Sequence, residues 1–128
     1  AASELPGLTF VLDHAAKPPI ASGGLEPWAA RLRAFAALPN TVCKLSGLLT
    51  EADPRTWTVP DLRPYTDTLL DAFGPHRLMF GSDWPVCTLA ASYGRTLATA
   101  GKLTDALSGT ERRAVFGGTA VETYRLET

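Results

Sequence analysis

One pattern occurs three times along the chain and constrains it more than any other feature. A short apolar run ends in a polar residue, and a helix-like stretch separates it from the next run. The runs are Leu8–Asp13, Thr41–Ser46 and Arg77–Ser82, and the polar residues at or just past their ends are His14, Ser46 and Asp83. Their spacing is about that of one strand–helix unit. The repeat is one of architecture, not of residues. Strands alternating with helices imply a parallel sheet with right-handed crossovers, so the three runs are expected side by side, in order. Ligands bind at the C-terminal strand ends of such sheets, which puts His14, Ser46 and Asp83 at one edge.

The intervening stretches support this reading. Glu26 to Leu38 reads as an amphipathic helix, with Trp28, Leu32, Phe35 and Leu38 at three- and four-residue spacing and Pro27 in a first turn. Before it, Lys17-Pro18-Pro19 and Ser22-Gly23-Gly24 exclude a helix and predict an extended loop. Leu48 to Val59 reads as an irregular loop. Asp61 to Phe73 is a second helix with Leu62, Tyr65, Leu69 and Phe73 as its stripe, stopped by Gly74-Pro75. Leu89 to Gly101 is a third helix. Thr110 to Leu126 is a last one, capped by Thr110, burying Val115, Phe116, Ala120 and Tyr124, and kinked at Gly117-Gly118.

The third run carries the strongest functional signal. Leu78-Met79-Phe80 stops at Gly81-Ser82, and Pro85 prevents an interior strand from continuing. Asp83 therefore emerges at the strand end, with Trp84 beside it to wall a pocket. The plainer reading is that Asp83 fixes a turn. His14 is either a metal ligand or carbonyl polariser, or a loop histidine bonded to a backbone carbonyl. Asp13 is its weaker rival, a cap or a supporting partner. Lys44 shares a strand face with Val42 and Ser46 and points to the side away from the helices. A structural ion pair is its favoured role and substrate contact the alternative. Ser46 is a candidate substrate contact. Trp57 and Trp84 either line the pocket or pack in the core. Glu51, Asp53 and Arg55 lie on a loop facing the site, where most charges are merely solvated. His76 precedes its strand and belongs at the opposite end.

Composition excludes several classes. The net charge is -1 with no basic run, so nucleic acid is not an expected partner. No apolar run approaches the roughly 18 residues of a membrane span. The N-terminus has no basic segment leading into an apolar one, so no signal peptide is expected. It also lacks an initiator Met, which suggests a start inside a longer protein. The two cysteines, Cys43 and Cys87, are too few for a disulfide framework. Reduced thiols and a cytoplasmic location are the expectation. No GxGxxG, P-loop, GxSxG or HExxH motif occurs.

Three segments together, Val11–Pro18, Lys44–Leu48 and Met79–Pro85, resemble the amidohydrolase superfamily. The closest branch is amidohydrolase 2, which includes sugar-lactone and dicarboxylate-lactone hydrolases. The order and spacing of the motifs match, as does the closing helix Val115 to Leu126, and the resemblance covers nearly the whole chain. It implies strands six to eight of a (β/α)8 TIM barrel, so that residues 1–128 form one partial domain, the C-terminal half. His14 would be the sixth-strand histidine, and Asp83 the eighth-strand aspartate that activates the attacking water. The family's first-strand His-x-His pair is absent. A whole barrel needs about 250 residues. Where relatives carry Asn after the closing glycine, Thr119 follows Gly117-Gly118 here.

The reaction expected from this resemblance is hydrolysis of a lactone or related cyclic ester or amide. Asp83 would be the base and His14 the polariser, with Trp84, Ser46 and Lys44 toward the substrate. A divalent metal, zinc or manganese, would sit on His14 and Asp83, and metal-independent chemistry is the alternative. The rival readings are a non-catalytic half-barrel interaction module and a metal-dependent decarboxylase on the same scaffold. Three strands cannot close a barrel and leave two bare edges. The missing N-terminal half or a second copy is therefore expected to cover them, and the 128-residue chain alone is expected to be inactive. The face away from the helices, with Val42, Met79 and Lys44, is expected to stand open.

Overall fold

The computed structural model describes residues 2–126. Strand β1 (Phe10–Leu12) is followed by helix α1 (Trp28–Ala36), strand β2 (Thr41–Leu45), a short helix α2 (Leu48–Glu51), helix α3 (Val59–Phe73) and strand β3 (Leu78–Phe80). Helices α4 (Tyr93–Leu103), α5 (Gly109–Arg113) and α6 (Thr119–Tyr124) complete the chain. The sheet order is β1-β2-β3 and both pairings are parallel, as the alternating pattern implied. Val11 lies beside Val42, Cys43 beside both Leu12 and Leu78, and Lys44 beside Met79.

This register sorts the side chains. Thr41, Cys43 and Leu45 are buried on the helix side. Cys43 and Leu45 meet Trp28 and Leu32 of α1, Leu62, Tyr65, Leu69 and Phe73 of α3, and Leu103 and Val115 behind β3, in one apolar cluster. The Trp28 and Tyr65 rings pack at 5.4 Å and tie α1 to α3. On the other face Val11, Val42 and Lys44 are only half-buried. Met79 departs from the expectation for that face. It is 2% exposed and lies outside the main cluster.

Local chemistry explains where the elements differ from the sequence reading. The segment Leu48–Val59 opens with α2, because buried Leu48 and Leu49 anchor one helical turn there. Helix α3 starts at Val59, since the Thr58 backbone N–H donates to Asp61 at 2.8 Å and Pro60 suits the first turn. Helix α4 starts at Tyr93, where Ser92 caps it by accepting from the Arg95 N–H at 3.2 Å. Ser108, not Thr110, caps α5. Its hydroxyl accepts from Glu111 N–H while Glu111 accepts from Ser108 N–H, which holds the Glu111 carboxyl below its ordinary value. Where a kink is expected, the backbone passes between α5 and α6 through a π-helical turn over Ala114–Gly118. Beyond it Thr119 is buried and donates to the Pro75 carbonyl at 3.2 Å, whereas Tyr124 is exposed.

The edge remote from the polar strand ends is stapled by one side chain. The Arg77 guanidinium donates to the carbonyls of Thr41, Ala36 and Leu38, all at 2.9 Å, and to the Thr41 hydroxyl at 2.7 Å. It thereby locks the end of α1 and the start of β2 to β3. His76 lies at this same remote edge, beside Thr41 and Arg77.

Cys43 and Cys87 are both free and buried. Burial pushes the Cys43 thiol from 9.0 up to about 12. A raised folded value means the neutral thiol stabilises the fold fully below pH 9, and this contribution is lost as pH rises from about 9 to about 12. Cys43→Ala is therefore expected to lower stability near neutrality and to flatten its fall across that alkaline range. Chemical unfolding at a series of pH values measures this, and parallel curves for the two proteins would contradict it.

Candidate active site at the strand ends

Beyond β1 the backbone does something no sequence rule suggests. His14, Ala15, Ala16 and Lys17 have φ of 47°, 52°, 57° and 51°. This is a left-handed turn made by four non-glycine residues, closed by the Lys17 N–H on the His14 carbonyl at 2.9 Å. Each such residue costs roughly 1–2 kcal/mol relative to a right-handed one. Asp83 is the other left-handed non-glycine residue at this edge, with φ 59°. Its backbone carbonyl accepts the Cys87 N–H at 2.8 Å and so begins the next turn. The turn-forming role foreseen for Asp83 thus falls to its backbone and leaves the carboxylate for other work.

The two turns aim their side chains at each other. His14 Nε2 is 3.7 Å from Asp83 Oδ1 and 3.5 Å from Asp13 Oδ2. Lys44 Nζ is 3.5 Å from the other Asp13 oxygen, which is the ion pair favoured for it. On the far side of the ring, His14 Nδ1 meets Ser46 Oγ at 2.8 Å. The Asp83 side chain is 16% exposed and that of His14 32%, so both are sheltered yet reachable. Ser46 is buried. It stands behind His14, a position that no spacing in the sequence specified.

Glycine is required where the elements crowd. A Cβ on Gly47, at φ +70°, would meet His14 Cβ, Cγ and Nδ1 at 3.1 Å. A Cβ on Gly81 would meet Ser46 Cβ at 3.2 Å. Behind the pair lies a cavity of about 40 Å³ lined by Leu48, Leu49, Leu62 and Leu103, with Ser46 and Asp83 at its border. It is far smaller than the roughly 300 Å³ of a ligand pocket. The open side of the pair is the face that carries Asp13, Lys44 and Val42.

The two tryptophans part company. Trp84 is 64% exposed and free to wall a pocket. Trp57 is buried, donates to the Ala90 carbonyl at 3.1 Å and is covered by Arg95 at 4.3 Å, so it is a packing residue. Asp53 accepts the Arg55 N–H at 3.0 Å, which holds its carboxyl below its ordinary value. It shapes its own loop. Glu51 uses its backbone carbonyl to hold Ala21.

The chain matches the amidohydrolase family model over residues 1–126. The chain belongs to the amidohydrolase family. It is 52% identical over 127 residues to an L-fucono-1,5-lactonase of Burkholderia multivorans, covering 91% of this chain and 43% of that protein. It is 48% identical to an L-fucono-1,5-lactonase of Burkholderia ambifaria, covering 98% of this chain and 44% of that protein. A crystal structure of a Burkholderia multivorans amidohydrolase with bound zinc superposes with a TM-score of 0.90 at 50% identity, covering 98% of this chain and 47% of that one. The chain spans less than half the length of these relatives. Its three strand–helix units are part of the (β/α)8 barrel of these amidohydrolases.

For this amidohydrolase chain the donor set can be tested against a metal. His14 Nε2 and Asp83 Oδ1 stand at a separation that two ligands of one cation can span, and Ser46 on Nδ1 orients the ring as a supporting residue does for a metal-bound histidine. Among the described residues no cluster of three or more His, Cys, Asp or Glu could enclose an ion. The pair fits one side of a metal site, which would need further ligands. Among those residues no helix is long and apolar enough to cross a membrane.

Gly47→Ala should destabilise the protein by about 1–2 kcal/mol through its left-handed φ and displace the His14 ring from Ser46. Denaturant unfolding and a crystal structure of the variant check this. An unchanged ring position with unchanged stability would contradict the crowding argument.

Proposed function

We propose that the complete protein hydrolyses a sugar lactone, with Asp83 as general base and His14 as the group that polarises the carbonyl. The observation that carries this reading is the approach of His14 Nε2 to Asp83 Oδ1 at 3.7 Å, from two turns held in left-handed conformation. Backbone strain concentrated on two chemically capable side chains is the mark of a site built for chemistry, which favours an enzyme over a non-catalytic module. The relatives' names favour a 1,5-lactone of a deoxyhexonic acid over a decarboxylase substrate.

In the reaction a water lying between Asp83 and the bound lactone gives its proton to the Asp83 carboxylate. The water oxygen attacks the ring carbonyl, and the tetrahedral intermediate forms with its negative oxygen toward His14. The Ser46 hydroxyl donates to Nδ1 and holds the ring so that its Nε2–H faces the carbonyl. The C–O bond of the ring then breaks, and the alkoxide leaves as a hydroxyl by taking the proton from Asp83. The product is the open hydroxy acid. A divalent metal on His14 and Asp83, zinc or manganese, would supply Lewis-acid polarisation of the same carbonyl. Lys44, held by Asp13, and exposed Trp84 border the open approach and are the substrate-contact candidates.

The bare β1 edge and the half-buried face of Val11, Val42 and Lys44 are read as the seam for the rest of a barrel, and cytoplasmic action suits the two buried free thiols. The 128-residue chain alone lacks the closed mouth that would hold a substrate.

Asp83→Asn in the complete protein should lower lactone turnover by at least about a hundredfold, the usual scale for a lost general base, with the unfolding midpoint nearly unchanged. A pH-stat assay with L-fucono-1,5-lactone measures it, and near-normal turnover would overturn the base assignment.

A further inference from the structure

The left-handed turn that presents His14 needs external holds, and besides the Cys43 thiol at the Ala15 backbone one side chain outside the site, Trp28, supplies one. Ala15 is 0% exposed, and its carbonyl accepts the Trp28 indole N–H at 2.8 Å across thirteen residues of sequence. Trp28 is itself fixed. It is 8% exposed, its ring packs on Tyr65 at 5.4 Å, and the Tyr65 hydroxyl donates to the Gly24 carbonyl at 2.7 Å in the loop that leads into α1. The indole therefore reaches the turn from a rigid helix-side platform.

From this geometry we propose that Trp28 is a positioning residue for His14. It touches neither substrate nor reacting atoms. The inference rests on the assignment of His14 to the site. The physical reason is the handedness of the turn. Left-handed φ is unfavourable for alanine and lysine and only less so for histidine, so pairing of its buried carbonyl helps the segment hold this shape. Without the indole N–H, the Ala15–Ala16 peptide gains by rotating its carbonyl toward another donor. That rotation changes Ala15 ψ and Ala16 φ, opens the left-handed turn that begins at His14, and so frees the imidazole to swing off both Ser46 and Asp83. The buried aromatic stripe of α1 thus carries, besides packing, one directional hydrogen bond that sets catalytic geometry.

The test separates the N–H from the ring. The tryptophan isostere β-(3-benzothienyl)alanine, which keeps the bicyclic shape and lacks the N–H, is placed at position 28 of the complete protein, and Trp28→Phe is made alongside. Two readouts are taken: lactone kcat and KM, and the ¹⁵N signals of the His14 ring in histidine-labelled protein, assigned with His14→Gln. The expected result is a kcat lowered tenfold or more, with KM within threefold and the unfolding midpoint preserved in the isostere variant. The His14 nitrogens should move from the pattern of one fixed tautomer to an exchange average, while His76 stays put. The ring signals also decide the matter if lactones prove not to be substrates, which keeps the two claims distinguishable. Unchanged His14 signals in the isostere variant would overturn the proposal, whatever the rate. A loss in which both histidines and the unfolding midpoint change together is what a merely structural tryptophan gives, and would overturn it too.

Discussion

The parallel register of β2 with both its neighbours is the constraint on which the rest depends. Because Leu12, Cys43 and Leu78 lie in one row and Lys44 beside Met79 in the next, all three strands leave the sheet at the same edge. A slip of one residue in β2 would exchange its faces. Lys44 would enter the apolar cluster and Cys43, whose raised thiol value records its burial, would leave it. The core on the helix side therefore fixes the register, and the register fixes where His14, Ser46 and Asp83 emerge. Arg77 holds the opposite edge, so the sheet is pinned at one end and free to carry chemistry at the other.

At the functional edge the fold spends stability on conformation. Five residues there, His14 to Lys17 and Asp83, take left-handed φ without being glycine. Glycine is instead used at Gly47, where a side chain would strike the His14 ring, and at Gly81, where it would strike Ser46. The surrounding packing offsets these costs through fully buried residues such as Leu62, Leu69 and Leu78, each contributing on the order of 2 kcal/mol by removal from water. The same arrangement keeps Asp83 sheltered on its inner side by apolar residues and open on the other, where a substrate can arrive.

Much of this was legible in the residues. The alternation of apolar runs with amphipathic stretches specified the parallel order, and Pro85 and Gly81 marked the emergence of Asp83. The alternation within Thr41–Ser46 placed Lys44 on the face away from the helices, where it pairs with Asp13. Ser108 followed by Glu111 is a capping box, which Thr110 is not. What was not legible is tertiary. Nothing in Asp13–Lys17 announces a run of left-handed residues, since alanine and lysine avoid that region and histidine visits it only singly. Strand alternation puts Ser46 at the strand end but cannot tell that its hydroxyl meets the His14 ring. Trp57 and Trp84 looked alike as motifs, and only packing separates the buried one from the exposed one. Arg77 read as the start of a strand, and its four acceptors come from segments distant in sequence.

The central claim is that His14 and Asp83 act as one unit, and a double-mutant cycle in the complete protein tests it most directly. His14→Asn, Asp83→Asn and the double variant are compared by kcat/KM for L-fucono-1,5-lactone. A shared role in one transition state predicts strong non-additivity, with the double variant losing little more than the worse single variant. Losses that add on a logarithmic scale, or single variants that turn over normally, would contradict it.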